Sequence, residues 1–70
     1  MPIIAKYDFK DYDGWQAARG RLYEELGHTN YNDSIEPKSY DSGYIIEIYD
    51  ACNSPRVANK ICEANGGEAY

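Results

Sequence analysis

The segment YIIEIY, residues 44–49, constrains the fold most, because its alternation is the clearest strand signal in the sequence. In an extended backbone, alternate side chains point to opposite faces of a sheet. One face would carry Tyr44, Ile46 and Ile48, and the other Ile45, Glu47 and Tyr49. A single strand is not stable in water, so the rest of the chain must supply partner strands and a layer that covers one face.

Two segments before residue 30 predict a strand and a helix. The segment IIAKYDF, residues 3–9, reads as a strand with Ile3, Ala5, Tyr7 and Phe9 on one face. Trp15, Ala18, Leu22 and Leu26 then recur at helical spacing and predict the buried stripe of a helix. Asp13 is the expected cap of this helix, with Gln16 completing a capping box, and Gly27 is the expected stop.

The second half predicts another helix and a short final strand. Ser54 and Pro55 are typical of a helix start, and Asn65-Gly66-Gly67 of a helix end. The apolar face between them consists of Val57, Ala58, Ile61 and Cys62. Residues 68–70 have room for a short strand only. Residues 31–40 contain Pro37, which leaves an edge strand and a loop as alternatives.

The resulting order is strand, helix, strand, strand, helix, strand within one domain, residues 1–70. For a chain of this length, the order predicts an α+β fold, a ferredoxin-like split β-α-β sandwich. Its four-stranded sheet would carry both helices on one face. The first and third strands would lie side by side in the middle. The uncovered face would then show Ile4, Lys6, Asp8, Ile45, Glu47 and Tyr49.

The net charge of the chain limits the kinds of partner that it can bind. The chain has 12 acidic residues against 7 basic ones, a net charge of −5 at pH 7. Phosphate groups repel such a chain, so direct binding to nucleic acid or to an anionic membrane is not expected. A basic protein partner is favoured, and the alternative is an acidic surface that only maintains solubility.

The segment Tyr31–Asp50 concentrates both the acids and the tyrosines. It holds five carboxylates against Lys38 alone, and four of the eight tyrosines. Carboxylates beside amphipathic rings are typical of a recognition surface for a basic partner. The predicted partner-binding residues are Asp33, Glu36, Tyr40, Asp41, Tyr44, Glu47, Tyr49 and Asp50.

No motif names a reaction, a metal or a cofactor, and none of the three is predicted. The spacing of His28, Cys52 and Cys62 matches no common zinc site, and Cys62 falls on the predicted buried stripe. The sequence lacks a signal-peptide pattern and any apolar run of about 18 residues. We therefore expect a cytoplasmic protein with two reduced thiols.

Two resemblances suggest more specific functions. The opening PIIAKYDF, residues 2–9, resembles the first strand of the VapD-like and CRISPR-adaptation endoribonucleases. That resemblance implies a ferredoxin-like dimer in which Asp8 is tied to a metal ion. In size, acidity and tyrosine content the chain also resembles small phage-encoded inhibitors of the anti-CRISPR and anti-restriction type. This second resemblance implies a protein of the host cytoplasm that has no catalytic site and mimics the charge of phosphates.

The function predicted from sequence is a small acidic module that inhibits a nucleic-acid-binding protein by occupying its basic cleft. One alternative is a metal-dependent, VapD-like endoribonuclease that acts as a dimer. The other is a self-associating structural module that packs Ile4, Ile45 and Tyr49 across a two-fold axis.

Overall fold

A computed structural model describes residues 2–70 and has the α+β class that the sequence predicts. Its elements in chain order are β1 (Ile3–Phe9), α1 (Tyr12–Leu26), α2 (His28–Ser34), β2 (Ile35–Tyr40), β3 (Gly43–Tyr49), α3 (Pro55–Ala64) and β4 (Gly67–Ala69). The short helix α2 is an addition to the predicted order.

The four strands form one antiparallel sheet in the order β2-β3-β1-β4. The prediction that the first and third strands lie side by side in the middle is confirmed. Tyr7 pairs with Ile46, so these two apolar side chains share the covered face. The register shifts between Ile3 and Ala5, which pairs Ile3 with Tyr49. Ile3 is consequently 39% exposed, and its predicted place on the covered face is wrong.

The core lies between one face of the sheet and the helices. Helix α1 packs against α2, α3 and the two central strands, and α3 packs against β3 and β4. Trp15, Ala18 and Leu22 are buried as the helical spacing predicts, and Leu26 packs at the edge of the core. The Nε1–H of Trp15 donates to the carbonyl of Ile45 at 3.1 Å, so the indole satisfies its polar atom while its ring is buried.

Helix α1 differs from the prediction at its N-terminus but not at its C-terminus. Asp11, not Asp13, is the N-cap, because its Oδ1 accepts from the backbone N–H of Gly14 at 2.8 Å. Asp13 lies in the first turn, where its charge still favours the helix N-terminus. Gly27 ends the helix with φ of 86°, and its N–H donates to the carbonyl of Tyr23 at 3.1 Å.

Residues 28–40 resolve into a helix and an edge strand. Helix α2 has no apolar period, and it is stabilised by tertiary packing of Tyr31 against the core. Ser34 is fully buried and its hydroxyl donates to the carbonyl of Asn30 at 2.6 Å. Strand β2 follows at the sheet edge, the strand position that tolerates Pro37.

Helix α3 confirms three of its four predicted apolar positions. Ala58, Ile61 and Cys62 are buried, whereas Val57 is 42% exposed and was predicted wrongly. Strand β4 begins at Gly67, one residue earlier than predicted. A Cβ at Gly67 would lie 2.8 Å from the Phe9 ring, so the close approach of β4 to the core requires glycine. No helix within residues 2–70 is long and apolar enough to cross a membrane.

Candidate functional site

The sheet has one face turned away from the core, which we call the open face. Strand alternation and the pairing register place its side chains. They belong to Lys6, Asp8, Glu36, Lys38, Tyr40, Ile45, Glu47, Tyr49 and Glu68, and Tyr70 follows at the end of β4. The open face therefore combines carboxylates, ammonium groups and tyrosine rings on a rigid sheet.

Glu47 is at the centre of the open face and is only 7% exposed. Its Oε1 lies 3.1 Å from Nζ of Lys38 and accepts a hydrogen bond from the Tyr49 hydroxyl at 3.3 Å. The hydrogen bond to Glu47 raises the pKa of Lys38. Desolvation, followed by the nearby Glu47 carboxylate, raises the pKa of Tyr49. Glu47 thus holds a lysine and a phenol in place rather than projecting to a partner.

The rim of the open face carries weaker contacts. Nζ of Lys6 lies 5.9 Å from the centroid of the Tyr70 ring, and Nζ of Lys10 lies 3.8 Å from Oε1 of Glu68. Such exposed contacts contribute little to stability. Asp8 and Glu36 have no ion-pair partner within 4.0 Å among residues 2–70. These two carboxylates are therefore available to a cationic partner.

Six of the eight residues predicted to bind a partner lie on or beside the open face. Glu36, Tyr40, Glu47 and Tyr49 share it. Asp41 is exposed in the turn that follows Tyr40. Asp50 is exposed directly after β3, and its backbone N–H donates to the carbonyl of Pro2 at 3.1 Å.

The other two predicted residues lie elsewhere, so the eight do not form a single surface. Tyr44 is on the covered side, with its ring centroid 5.2 Å from Trp15 and 5.8 Å from Tyr12. The physical reason is the pleat, which gives Tyr44 the same direction as Ile46. Asp33 lies in α2, where it lines a groove with His28.

The sequence predicted Lys6 on the open face but not Lys38. Lys38 was noted only as the single basic residue of the acidic segment Tyr31–Asp50, yet it contacts Glu47 directly. The turn after Tyr40 was the signal that could have found it, because a hairpin closed there places Lys38 opposite Ile45 and diagonal to Glu47. Glu68 and Tyr70 had no comparable signal, since the pairing of β4 depends on tertiary packing.

The candidate metal ligands do not come together. No group of three or more His, Cys, Asp or Glu side chains in the described residues could hold a metal ion. His28 Nδ1 lies 3.2 Å from the Tyr23 hydroxyl, at the exposed start of α2. Cys52 and Cys62 are both buried, unpaired thiols, and burial raises the pKa of Cys62 to about 12. Cys62 is thus an unreactive core residue at neutral pH.

Comparison with known proteins adds no relative. No protein-family model matches the chain, and no curated protein and no solved structure is significantly similar to it. A function for the open face is therefore inferred from its own geometry and charge.

Proposed function

We propose that the chain is a binding module whose open face contacts a basic protein surface, and that it inhibits a nucleic-acid-binding partner by occupying its cationic cleft. The observation that carries this proposal is a sheet face that no helix of residues 2–70 covers, on which the Tyr49 hydroxyl donates to the buried Glu47 and Tyr40 is exposed. Tyrosine is enriched at protein interfaces, and its exposure here favours this face as the interaction site.

Charge favours a basic partner over a second acidic one. Among strand residues, the open face carries four carboxylates against the two ammonium groups of Lys6 and Lys38. One carboxylate is already neutralised, because Glu47 pairs with Lys38. Glu36, Asp8 and the nearby Asp41 are the exposed acids that a cationic cleft would meet. Such charges mainly raise the association rate, so binding weakens as salt screens them.

The tyrosines supply the contact area. Tyr40 is 51% exposed and Tyr70 is 66% exposed, and both extend from the sheet beside the carboxylates. A tyrosine ring is rigid and amphipathic, so it buries area at low entropic cost. Tyr49 differs, because its hydroxyl donates to Glu47 at 3.3 Å and is held before any partner arrives. Binding would then rest on Tyr40 and Tyr49 as central contacts, with Glu36 and Asp41 as charged neighbours.

The test compares two charge-reversed proteins of equal net charge. One carries Glu36→Lys and Asp41→Lys beside the open face, and the matched control carries Glu24→Lys and Glu63→Lys at exposed helix positions. Each protein is immobilised and used to capture partners from a host lysate at low salt and at about 0.5 M salt. At low salt we expect the wild type and the helix variant to capture the same protein, and the open-face variant not to capture it. At high salt the wild type and the helix variant should capture less of it.

Competition then separates inhibition from simple binding. DNA or RNA added to the purified complex should displace the module, because both occupy the same cleft. Equal loss of the partner in both charge-reversed proteins would contradict the choice of face, and a complex that nucleic acid leaves intact would contradict the inhibitory role.

A metal-dependent nuclease is a second candidate that one observation favours. Asp8 in β1 is directly opposite Glu68 in β4, so two carboxylates of neighbouring strands share one face. A two-fold dimer would bring two such pairs near one another. Incubation of the protein with RNA and Mn²⁺ beside an Asp8→Ala variant tests this candidate. Cleavage that is equal in both proteins, or absent from both, would dismiss it.

We further propose that the sheet with α1 and α3 is a ferredoxin-like sandwich to which α2 has been added. The proposal is supported by the central pairing of β1 with β3 and by the packing of α1 against α3. An experimental structure whose helices lie on opposite faces of the sheet would overturn it.

A further inference from the structure

A groove of about 440 Å³ lies between α1 and α2, on the helical side of the molecule. We call it the α1–α2 groove, and it is lined by Gln16, Arg19, Gly20, Tyr23 and Tyr31. It is separate from the open face, so its function is independent of the binding proposed there.

Arg19 is held in place inside this groove. Its guanidinium carbon lies 4.7 Å from the centroid of the Trp15 ring, within the range of a cation–π contact. Its Nη1 donates to Oε1 of Gln16 at 2.6 Å. The neighbouring Arg21 pairs with Glu25 at 3.6 Å, whereas Arg19 has no carboxylate within 4.0 Å in the part of the chain described. Lys6, Arg56 and Lys60 also have no ion pair among the described residues, so the buried Nε is what distinguishes Arg19 from them.

The side of the guanidinium that Gln16 does not occupy lacks an acceptor. Nε of Arg19 is buried and has no hydrogen-bond partner among the described residues. Leaving a buried donor unpaired is unfavourable for the folded state. Nε and Nη2 form one edge of the guanidinium, with two parallel N–H bonds that match the two oxygens of a carboxylate. An arriving carboxylate would therefore satisfy a donor that the protein leaves without an acceptor.

The remaining walls suit a flat, apolar group. The rings of Tyr23 and Tyr31 meet edge to face with centroids 5.5 Å apart. A Cβ at Gly20 would have no atom within 4 Å, so this glycine has no packing role and instead leaves the groove open. At an interior helix position where no groove has to stay open, alanine would be favoured over glycine.

We propose that the α1–α2 groove binds a small planar carboxylate, with the carboxylate on the Nε–Nη2 edge of Arg19 and its ring against Tyr23. A carboxylate is favoured over a phosphate because, among residues 2–70, Arg19 is the only cationic residue that lines the groove. Because Nε is buried, binding requires the guanidinium to break its hydrogen bond to Gln16 and turn toward the groove. The hydrogen bond from Nε to the carboxylate then does not replace a hydrogen bond from Nε to water.

The test uses benzoate as the probe and NMR as the readout. The Nε–H resonances of the three arginines are followed while the protein is titrated with benzoate, benzamide, acetate or inorganic phosphate. We expect a saturable shift of the Arg19 resonance with benzoate. Neutral benzamide, ring-free acetate and phosphate should each bind at least tenfold more weakly.

Matched variants locate the site. Arg19→Gln should weaken benzoate binding at least tenfold, while Arg21→Gln, which removes an already paired arginine, should leave it unchanged. Gly20→Leu should also abolish binding by filling the groove, whereas Ala17→Leu at an exposed position of the same helix should not. No saturable shift, equal binding by the Arg19 and Arg21 variants, or tighter binding of phosphate would each overturn the proposal.

Discussion

Nζ of Lys38 lies 3.1 Å from Oε1 of Glu47, and this ion pair joins an edge strand to a central strand across the open face. The side chain of Glu47 is 9% exposed and that of Lys38 is 36% exposed. The carboxylate is therefore largely removed from water and depends on Lys38 and Tyr49 for its hydrogen bonds. Glu47 acts as a structural residue within the site, unlike its exposed neighbour Glu36.

The first prediction separates these two glutamates. Glu47→Lys should lower the melting temperature by several degrees, because it places a second ammonium group beside that of Lys38 at a position with little exposure to water. Glu36→Lys should leave the melting temperature unchanged or raise it slightly. Glu36 is directly opposite Glu47, and like charges across a strand pair are unfavourable. Circular dichroism on heating measures both, and equal destabilisation would show that Glu47 has no special structural role.

The second prediction concerns two aliphatic residues of α3. Ile61 is 8% exposed and Val57 is 42% exposed, although the sequence pattern places them on the same apolar face. Ile61→Ala should cost about 2–5 kcal/mol of unfolding free energy, because it leaves a cavity in the core. Val57→Ala should change the unfolding free energy by less than about 0.5 kcal/mol. Urea denaturation measures the difference, and comparable losses would mean that α3 is rotated so that Val57 also faces the core.

These elements also show how far sequence reasoning reaches in this chain. The periods of 2 and 3.6 predicted β1, α1, β3 and α3, because their apolar side chains pack against one another and the pattern records that packing. The helix α2 has a polar sequence without a period, so its presence depends on contacts of Tyr31 and Ser34 that no local pattern reveals.

The candidate site was predicted less well than the fold. The prediction assumed that the acids and tyrosines of Tyr31–Asp50 share one surface because they are close in sequence. Adjacent residues of a strand, however, face opposite sides of the sheet. That is why Tyr44 packs against Trp15 while Glu47 and Tyr49 lie on the open face. The groove beside Arg19 was not predicted, because its lining comes from two helices, one of which the sequence did not indicate.

The third prediction concerns stability at alkaline pH. Burial, and next the nearby Glu63, raises the pKa of Cys62 from its ordinary value of 9.0 to about 12. The unfolded chain therefore loses this proton at lower pH than the folded chain, so stability falls as the pH rises from about 9 towards 12. At pH 10 the loss is on the order of 1 kcal/mol for this single group.

A Cys62→Ala variant isolates that contribution. Its unfolding free energy should be lower than that of the wild type at pH 7, because a buried sulfur is lost. The gap in unfolding free energy between the two proteins should narrow between pH 8 and pH 10, because the variant lacks the Cys62 thiol and every other titratable side chain is the same in both proteins. Urea denaturation across this range is the measurement, and a gap that stays constant with pH would contradict the buried-thiol assignment.

The fourth prediction compares two glycines of α1, Gly14 and Gly20, whose surroundings differ. A Cβ at Gly14 would lie 2.5 Å from the backbone carbonyl oxygen of Asn65, whereas a Cβ at Gly20 would meet nothing within 4 Å. Gly20→Ala should therefore stabilise the fold by about 1 kcal/mol, the helix propensity that glycine forgoes. Gly14→Ala gains less propensity, because Gly14 lies in the first turn of α1. It also forces α1 away from the end of α3, and overpacking of this kind costs about 1–3 kcal/mol. Urea denaturation should give shifts of opposite sign for the two variants, and stabilisation by both would show that α1 and the end of α3 do not approach each other this closely.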